Sequence, residues 1–136
     1  MTYALSGALQ GAVYDLLQND PGLTALVGDA VYDAVPSGTL PETYVRLGSE
    51  KAVGASDRSG MGAEHRFTVT VITTAQGFAF AKSVAAAVCD ALRDAAPVLS
   101  RGRVVDLYFH SASAERIDGG ATRQIDLQFR ALLADE

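Results

Sequence analysis

Residues 57–74 constrain the fold of this chain more than any other segment, because a polar loop containing glycine runs directly into an alternating pattern. Within this segment, Phe67, Val69 and Val71 alternate with Thr68 and Thr70. A period of two is typical of a half-buried β-strand, since successive side chains of a strand point to opposite faces. The segment therefore predicts an antiparallel scaffold that carries a mobile loop.

Two amphipathic helices are predicted on either side of this strand, at about residues 2–19 and 76–95. The apolar residues of the first helix recur at three- and four-residue steps, which is the spacing of one helical face. This stripe consists of Leu5, Ala8, Leu9, Ala12, Val13, Leu16 and Leu17. Pro21-Gly22 ends the helix, because proline cannot continue it and glycine tolerates the turn. Residues 23–27 are predicted to form one further short helical turn.

The second helix has apolar residues on more than one face. One stripe consists of Phe78, Ala81, Ala85, Val88, Leu92 and Ala95. The remaining surface is rich in alanine and includes Phe80, although the solvent face of a monomer normally carries more charge. We therefore expect a neighbouring element or another subunit to cover this surface. The residues that we predict at a subunit interface are Phe80, Ala87 and Ala91.

Three further strands are predicted, starting at about residue 44 and spanning 103–111 and 122–133. The last is the clearest, since its apolar and polar side chains alternate without interruption. Asp118-Gly119-Gly120 precedes it and is typical of a hairpin turn. Hairpin connections of this kind imply that neighbouring strands are antiparallel.

The fold class that follows is α+β, with the element order α-β-β-α-β-β. We expect an antiparallel or mixed β-sheet of about four strands, with two amphipathic helices packed on one face. Residues 31–41 are expected to be irregular, and residues 51–63 to form a long exposed loop, because they contain little that could pack. At 136 residues, the whole chain, 1–136, is interpreted as a single domain.

Composition limits the classes of function. The formal net charge of -5 and the pI near 4.9 argue against a nucleic-acid grip, which usually needs a basic face. The single cysteine, Cys89, excludes an internal disulfide and a cysteine-based metal cluster within one subunit. The beginning of the sequence lacks the basic region of a secretory signal, and no run of about 18 apolar residues is present to span a bilayer. We therefore expect a cytoplasmic protein with no membrane partner.

No catalytic or metal-binding group is predicted. His65 and His110 are interpreted as surface or strand-end histidines, because no carboxylate or cysteine stands at metal-ligand spacing from them. Cys89 is interpreted as a small, half-buried apolar side chain on the flank of the helix stripe. The carboxylates that could form an acid–base pair are Glu64, Asp106, Glu115 and Asp126, and nothing in the sequence places two of them together.

Two glycine-containing stretches resemble catalytic or binding motifs incompletely. Gly54-Ala55-Ser56-Asp57-Arg58 begins like a nucleophile elbow, but it lacks the closing glycine and does not join a strand to a helix. Gly60-Met61-Gly62 lacks the third glycine and the following helix that phosphate binding requires. A flexible loop tip is the simpler interpretation of Gly60-Met61-Gly62, and no cofactor is expected.

Read as a whole, the chain resembles the tail terminator, or tail completion, family of long-tailed bacteriophages and gene transfer agents. Four segments carry the resemblance, in the expected order over about residues 5 to 133. They are Val31-Tyr32-Asp33 to Pro36-Ser37-Gly38; Pro41 to Tyr44-Val45-Arg46-Leu47-Gly48; Asp57 to Thr74 with Gly77, Phe78 and the alanine-rich helix; and Arg116-Ile117-Asp118-Gly119 running into Leu127-Gln128-Phe129-Arg130-Ala131. In one departure from the family pattern, Glu42 and Thr43 separate the proline from the aromatic residue of the first strand.

The resemblance implies a structural virion protein with no catalytic residues. It implies a homomeric ring, usually of six subunits, that caps the tail tube, ends its polymerisation and provides the surface joined to the head connector. The implied partners are other copies of this chain, the tail tube protein and neck proteins, with DNA passing through the lumen without specific binding. Assembly would occur in the cytoplasm, and the final place would be the head–tail junction. The loop residues expected to contact a partner are Asp57, Arg58, Met61 and His65.

Two alternatives stay open at the level of sequence. A neck or head-completion ring protein belongs to the same class and shares the size and the ring habit. A small α+β enzyme or ligand-binding domain belongs to a different class, and a deep pocket with convergent polar groups would favour it.

Overall fold

A computed structural model describes residues 3–54, 62–94 and 96–135 of the chain. In these ranges the helices are α1 (Ser6–Asn19), α2 (Pro21–Val27) and α3 (Ala79–Asp94). The strands are β1 (Val31–Tyr32), β2 (Thr43–Gly54), β3 (Gly62–Thr73), β4 (Arg103–Ile117) and β5 (Thr122–Ala134). A 3₁₀ turn at Asp118–Gly120 connects β4 to β5, where the hairpin turn is predicted.

The described strands form one mixed sheet in the order β1-β2-β3-β5-β4. β1 pairs with β2 in parallel, with Val31 opposite Val45, and the other pairs are antiparallel. The α+β class is therefore confirmed. The sheet has five strands rather than about four, because β1 is additional to the predicted order. The short helical turn predicted at residues 23–27 is part of α2. β1 and β4 lie at opposite edges of this sheet.

The hydrophobic core lies between the helices and one face of the sheet. Alternate residues of β2, β3 and β5 supply the sheet side, as the register of Val45 with Val71 and of Val71 with Ile125 illustrates. Leu9 of α1, Leu23 of α2 and other helix residues belong to the same buried cluster. Burying each such side chain contributes about 1.5–3 kcal/mol, so this face holds the fold together.

The other face of the sheet is polar and carries no described helix. A depression of about 290 Å³ lies on it, lined by Arg46, Gly48, Ser49, Thr68, Thr70, Asp126 and Gln128. Thr70 donates a hydrogen bond to Asp126 across the β3–β5 pair, with 2.8 Å between the oxygens. The described helices pack on the opposite, apolar face of the sheet, which agrees with the prediction that the helices lie on one face.

Local chemistry explains why α1 and α2 are separate helices. Asp20 is in an extended conformation, and its carboxylate accepts a hydrogen bond from the backbone N–H of Leu23 at 2.9 Å. Pro21 stands at the first position of α2, where its missing N–H costs nothing. The predicted break at Pro21 is therefore confirmed, while α1 begins at Ser6, later than the predicted residue 2.

The predicted loop at residues 51–63 is wrong at both ends. Residues 51–54 continue β2 and residues 62–63 begin β3, with Lys51 opposite Arg66 and Gly54 opposite Ala63. Residues 55–61 lie outside the described part of the chain. β4 also runs to Ile117, six residues beyond its predicted end at residue 111.

Candidate assembly surface

β4 is an open sheet edge. Among the described strands it pairs only with β5, so the outer side of a strand of 15 residues is free of a neighbour. Unpaired N–H and C=O groups along such an edge can pair with another chain. Register shifts between Val104 and Asp106 and between Phe109 and Ser111 interrupt its ladder with β5. Bulges of this kind bend a strand and limit unspecific pairing.

Three large apolar side chains of β4 are exposed to solvent. The exposed fractions are 47% for Val105, 46% for Tyr108 and 48% for Phe109. The ring of Phe109 meets that of Phe129 edge-on at 6.0 Å, and Phe129 stacks on Phe67 at 5.5 Å. An aromatic row therefore runs from the core of the subunit to its surface. An apolar surface at a free strand edge marks an interaction site.

An apolar cleft of about 380 Å³ lies beside this row, between α3 and β4. The lining side chains are Cys89, Leu92, Arg93, Leu107, Tyr108, Phe109 and Phe129. The guanidinium of Arg93 supplies charge, and it forms an exposed pair with Asp90 at 3.4 Å. Burial raises the pKa of the Cys89 thiol, with Asp90 adding to the effect. The thiol is thus protonated and half-buried, in agreement with its interpretation as a small apolar side chain.

The outer face of α3 is smaller than predicted. Phe80 is 40% exposed, whereas Ala87 is partly buried against the subunit core. Ala91 is only 4% exposed and belongs to the core itself, so its predicted placement on a second, outer face is wrong. It stands three residues after Val88 and seven after Val84, and this spacing returns it to the buried stripe.

His65 does not lie in a loop. It is fully buried in β3, so its interpretation as a surface or strand-end histidine is wrong. Its Nδ1 lies 3.0 Å from Glu50 Oε2, and its ring stacks with that of Tyr3 at 6.2 Å. Its Nε2 has no hydrogen-bond partner among the described residues. Asp57, Arg58 and Met61, the other loop residues predicted to contact a partner, lie outside the described residues.

Glu50 joins the beginning of α1 to the ends of β2 and β3. Tyr3 donates a hydrogen bond to its carboxylate at 2.6 Å, and Ser6 does so at 2.8 Å. Burial of the carboxyl raises its pKa, but the hydrogen bonds from Tyr3, His65 and Ser6 outweigh this effect and hold the pKa below its ordinary value. The cluster closes one end of the helix–sheet interface.

In the described part of the chain, the remaining titratable residues do not come together in a reactive site. Glu64 forms ion pairs with Arg66 at 3.1 Å and Arg130 at 3.3 Å. His110 is exposed, as predicted, and its Nε2 lies 3.1 Å from Arg130 Nη2. Within residues 3–54, 62–94 and 96–135, no group of three His, Cys, Asp or Glu side chains could hold a metal ion.

None of the helices described here is both long and apolar enough to cross a membrane.

Comparison with known proteins identifies the family. The family described as "Tail completion protein gp17" matches residues 11–134. The chain belongs to this family. A chain of a solved structure titled "Virion of native gene transfer agent (GTA) particle" is similar to it, with 56% sequence identity and a TM-score of 0.92. The match covers 98% of this chain and 99% of that chain. A comparison with curated proteins gives no match.

The predicted resemblance to tail completion proteins is confirmed by this membership. The chain is a structural tail protein of a virion particle, and the alternative of a small enzyme is excluded. Sequence reasoning missed the exposed side chains of β4 in this tail completion protein. A signal was present: Val104, Val105, Leu107, Tyr108 and Phe109 place apolar residues at both odd and even positions. A strand with apolar residues on both faces shows no alternating pattern, so alternation alone does not identify it.

Proposed function

We propose that this chain assembles into a closed homomeric ring that caps the tail tube, ends its polymerisation and provides the surface to which the head is joined. The observation that carries the proposal is the open β4 edge with its exposed Val105, Tyr108 and Phe109, in a member of the tail completion family. Six subunits is the number that the resemblance implies. The whole chain would act as one domain.

The surfaces that a single subunit leaves exposed support the proposed ring. A single subunit has an apolar cleft and an unpaired strand edge on the same side, and covering both removes apolar surface from water. An interface between two unlike surfaces of identical subunits closes into a ring when the rotation between subunits permits it. A cap on the tail tube needs such a closed assembly.

The charge of the chain is consistent with a channel through which DNA passes. A formal net charge of -5 repels phosphate, so DNA would move through the lumen without specific binding. The partners of the ring would be the tail tube protein on one side and the head connector or neck proteins on the other. The chain would join the particle in the cytoplasm and remain at the head–tail junction.

Removal of the chain tests this function. If the ring stops tube growth, particles made without the chain carry overlong tails or tails of scattered length, which fail to join filled heads. Electron microscopy of particles and restoration by the wild-type chain provide the readout and the control. Tails of normal length that stay separate from heads would favour the alternative of a neck or head-completion ring. Normal tails joined to heads would exclude both functions.

A further inference from the structure

We propose that the apolar cleft between α3 and β4 receives residues 33–42 of a neighbouring copy of this chain. These residues connect β1 to β2. The inference rests on the proposed ring and specifies which two surfaces of adjacent subunits meet in it. Four independent features of the described residues support this pairing.

The topology places the two surfaces on opposite sides of one subunit. β1, which leads into residues 33–42, forms one edge of the sheet, and β4 forms the other. With a strand spacing of about 4.8 Å, these edges are separated by roughly 19 Å across the sheet. Subunits in a ring contact each other head to tail through unlike surfaces. Opposite edges of a sheet provide this arrangement, whereas two surfaces on the same edge would not.

Residues 33–42 have the properties of a segment that docks. Apart from half-buried Leu40 they are exposed, and they belong to no helix or strand. Within residues 34–41 no backbone hydrogen bond to another described residue is formed. The residues before Pro36 and Pro41 favour extended conformations. Backbone groups without a hydrogen bond to another described residue can pair with an open strand edge, and β4 offers one.

Val35 provides an apolar side chain for the cleft. It is 38% exposed and lies two residues after the start of the segment, next to Pro36. The volume of about 380 Å³ lies within the range of binding pockets, so the cleft has room for such side chains. The walls formed by Leu92, Leu107 and Phe109 match an apolar occupant.

The distribution of charge favours the same pairing. Residues 1–45 contain five carboxylates and no lysine or arginine, so this part accounts for the whole formal charge of -5. Asp33 and Glu42 stand at the two ends of the docking segment. All 11 basic residues follow residue 45, and Arg93 lines the cleft. Its ion pair with Asp90 is exposed on both sides and therefore contributes little to stability.

Disulfide trapping in assembled particles tests the inference. The chain carries Val35→Cys and Phe109→Cys in a Cys89→Ser background, and purified particles are oxidised mildly before non-reducing electrophoresis. We expect the band of this chain to shift from monomer to dimers and higher multiples, because each subunit contributes one cysteine to each neighbour. Chains with either new cysteine alone are the first controls. Val98→Cys with Phe109→Cys is the matched control, since Val98 is 89% exposed and does not line the cleft.

The possible outcomes distinguish failure of the proposed interface from failure of the proposed function. Functional particles that contain the doubly substituted chain but show only monomers would overturn the interface and leave the ring function standing. The same would follow if the Val98 control formed the ladder equally well. Particles from which the wild-type chain is absent would remove the proposed function and this interface together.

Discussion

Glu50 and His65 lie diagonally across the β2–β3 pair, in which Glu50 is opposite Phe67, with 3.0 Å between Glu50 Oε2 and His65 Nδ1. The imidazole is fully buried, and the carboxylate is 17% exposed. Tyr3 and Ser6 bind the same carboxylate, so one acidic group connects the amino-terminal segment to two strands. The stability of this end of the subunit therefore depends on the ionisation of Glu50.

Acid should weaken this connection. Because the pKa of Glu50 is below its ordinary 4.5 in the folded chain, the carboxylate stabilises the fold above that pH, and the contribution disappears as the pH falls through the lower, folded-state pKa. We expect Glu50→Gln to lower the free energy of unfolding near neutral pH, and the difference from wild type to shrink in acid. Urea unfolding from about pH 7 to about pH 3 measures it. Glu115→Gln, at an exposed site, is the control, and a difference for Glu50→Gln that does not change with pH would contradict the assignment.

Gly102 should tolerate no side chain. Its φ is +73°, and an added Cβ would lie 2.6 Å from the carbonyl oxygen of Ala134 and 2.8 Å from Leu5 Cδ1. Gly77 has a similar φ of +77° with no atom within 4 Å of an added Cβ, so Gly77→Ala measures backbone strain alone. We expect Gly77→Ala to cost about 1–2 kcal/mol and Gly102→Ala distinctly more. Equal losses in chemical denaturation would show that the neighbours of Gly102 move aside.

Ala91→Arg should unfold the subunit rather than affect assembly alone. Ala91 is buried in the core, and an unpaired cation there costs several kcal/mol. Ala86 is exposed on the same helix, and Ala86→Arg should change the free energy of unfolding by about 0.5 kcal/mol or less. Thermal unfolding of the two purified variants compares them. A stable, folded Ala91→Arg chain would contradict the buried position.

Cys89→Ser should have little effect on particle production. The thiol has a packing role in our interpretation, and the exchange should cost on the order of 1 kcal/mol or less at a half-buried site. Leu92→Ala, at a buried position on the same helix, should cost about 2–5 kcal/mol and serves as the comparison. Loss of functional particles with normal levels of the Cys89→Ser chain would reveal a function of the thiol.

Elements that depend on local patterns were predictable from the sequence. The alternation of Phe67, Val69 and Val71 predicts β3, and Asp118-Gly119-Gly120 predicts the turn before β5. These signals act within a few residues, so no knowledge of the partner strand is needed. The same alternation includes His65. It stands two residues before Phe67 and therefore points to the same, buried face of β3. This signal was present in the sequence and would have placed the histidine correctly.

Elements that depend on a distant partner were not predictable. β1 has two residues, and its pairing of Val31 with Val45 exists only because α1 and α2 bring the segment beside β2. The end of β2 consists of small or polar residues such as Lys51 and Ala52, whose strand conformation results from pairing with β3. β-propensity is strongly dependent on such context. The open β4 edge likewise becomes apparent only when the order of strands in the sheet is known.

The open edge of β4 also affects how the yield of particles depends on the amount of this chain that is synthesised. A copy that has not yet joined a particle exposes the open outer edge of this 15-residue strand together with Tyr108 and Phe109, and such a surface favours aggregation. Encounters between free copies increase with the square of their concentration, whereas the proposed ring takes up a fixed number of copies per tail. We therefore expect the yield of complete particles to pass through a maximum as synthesis of this chain is raised, with insoluble protein accumulating beyond it.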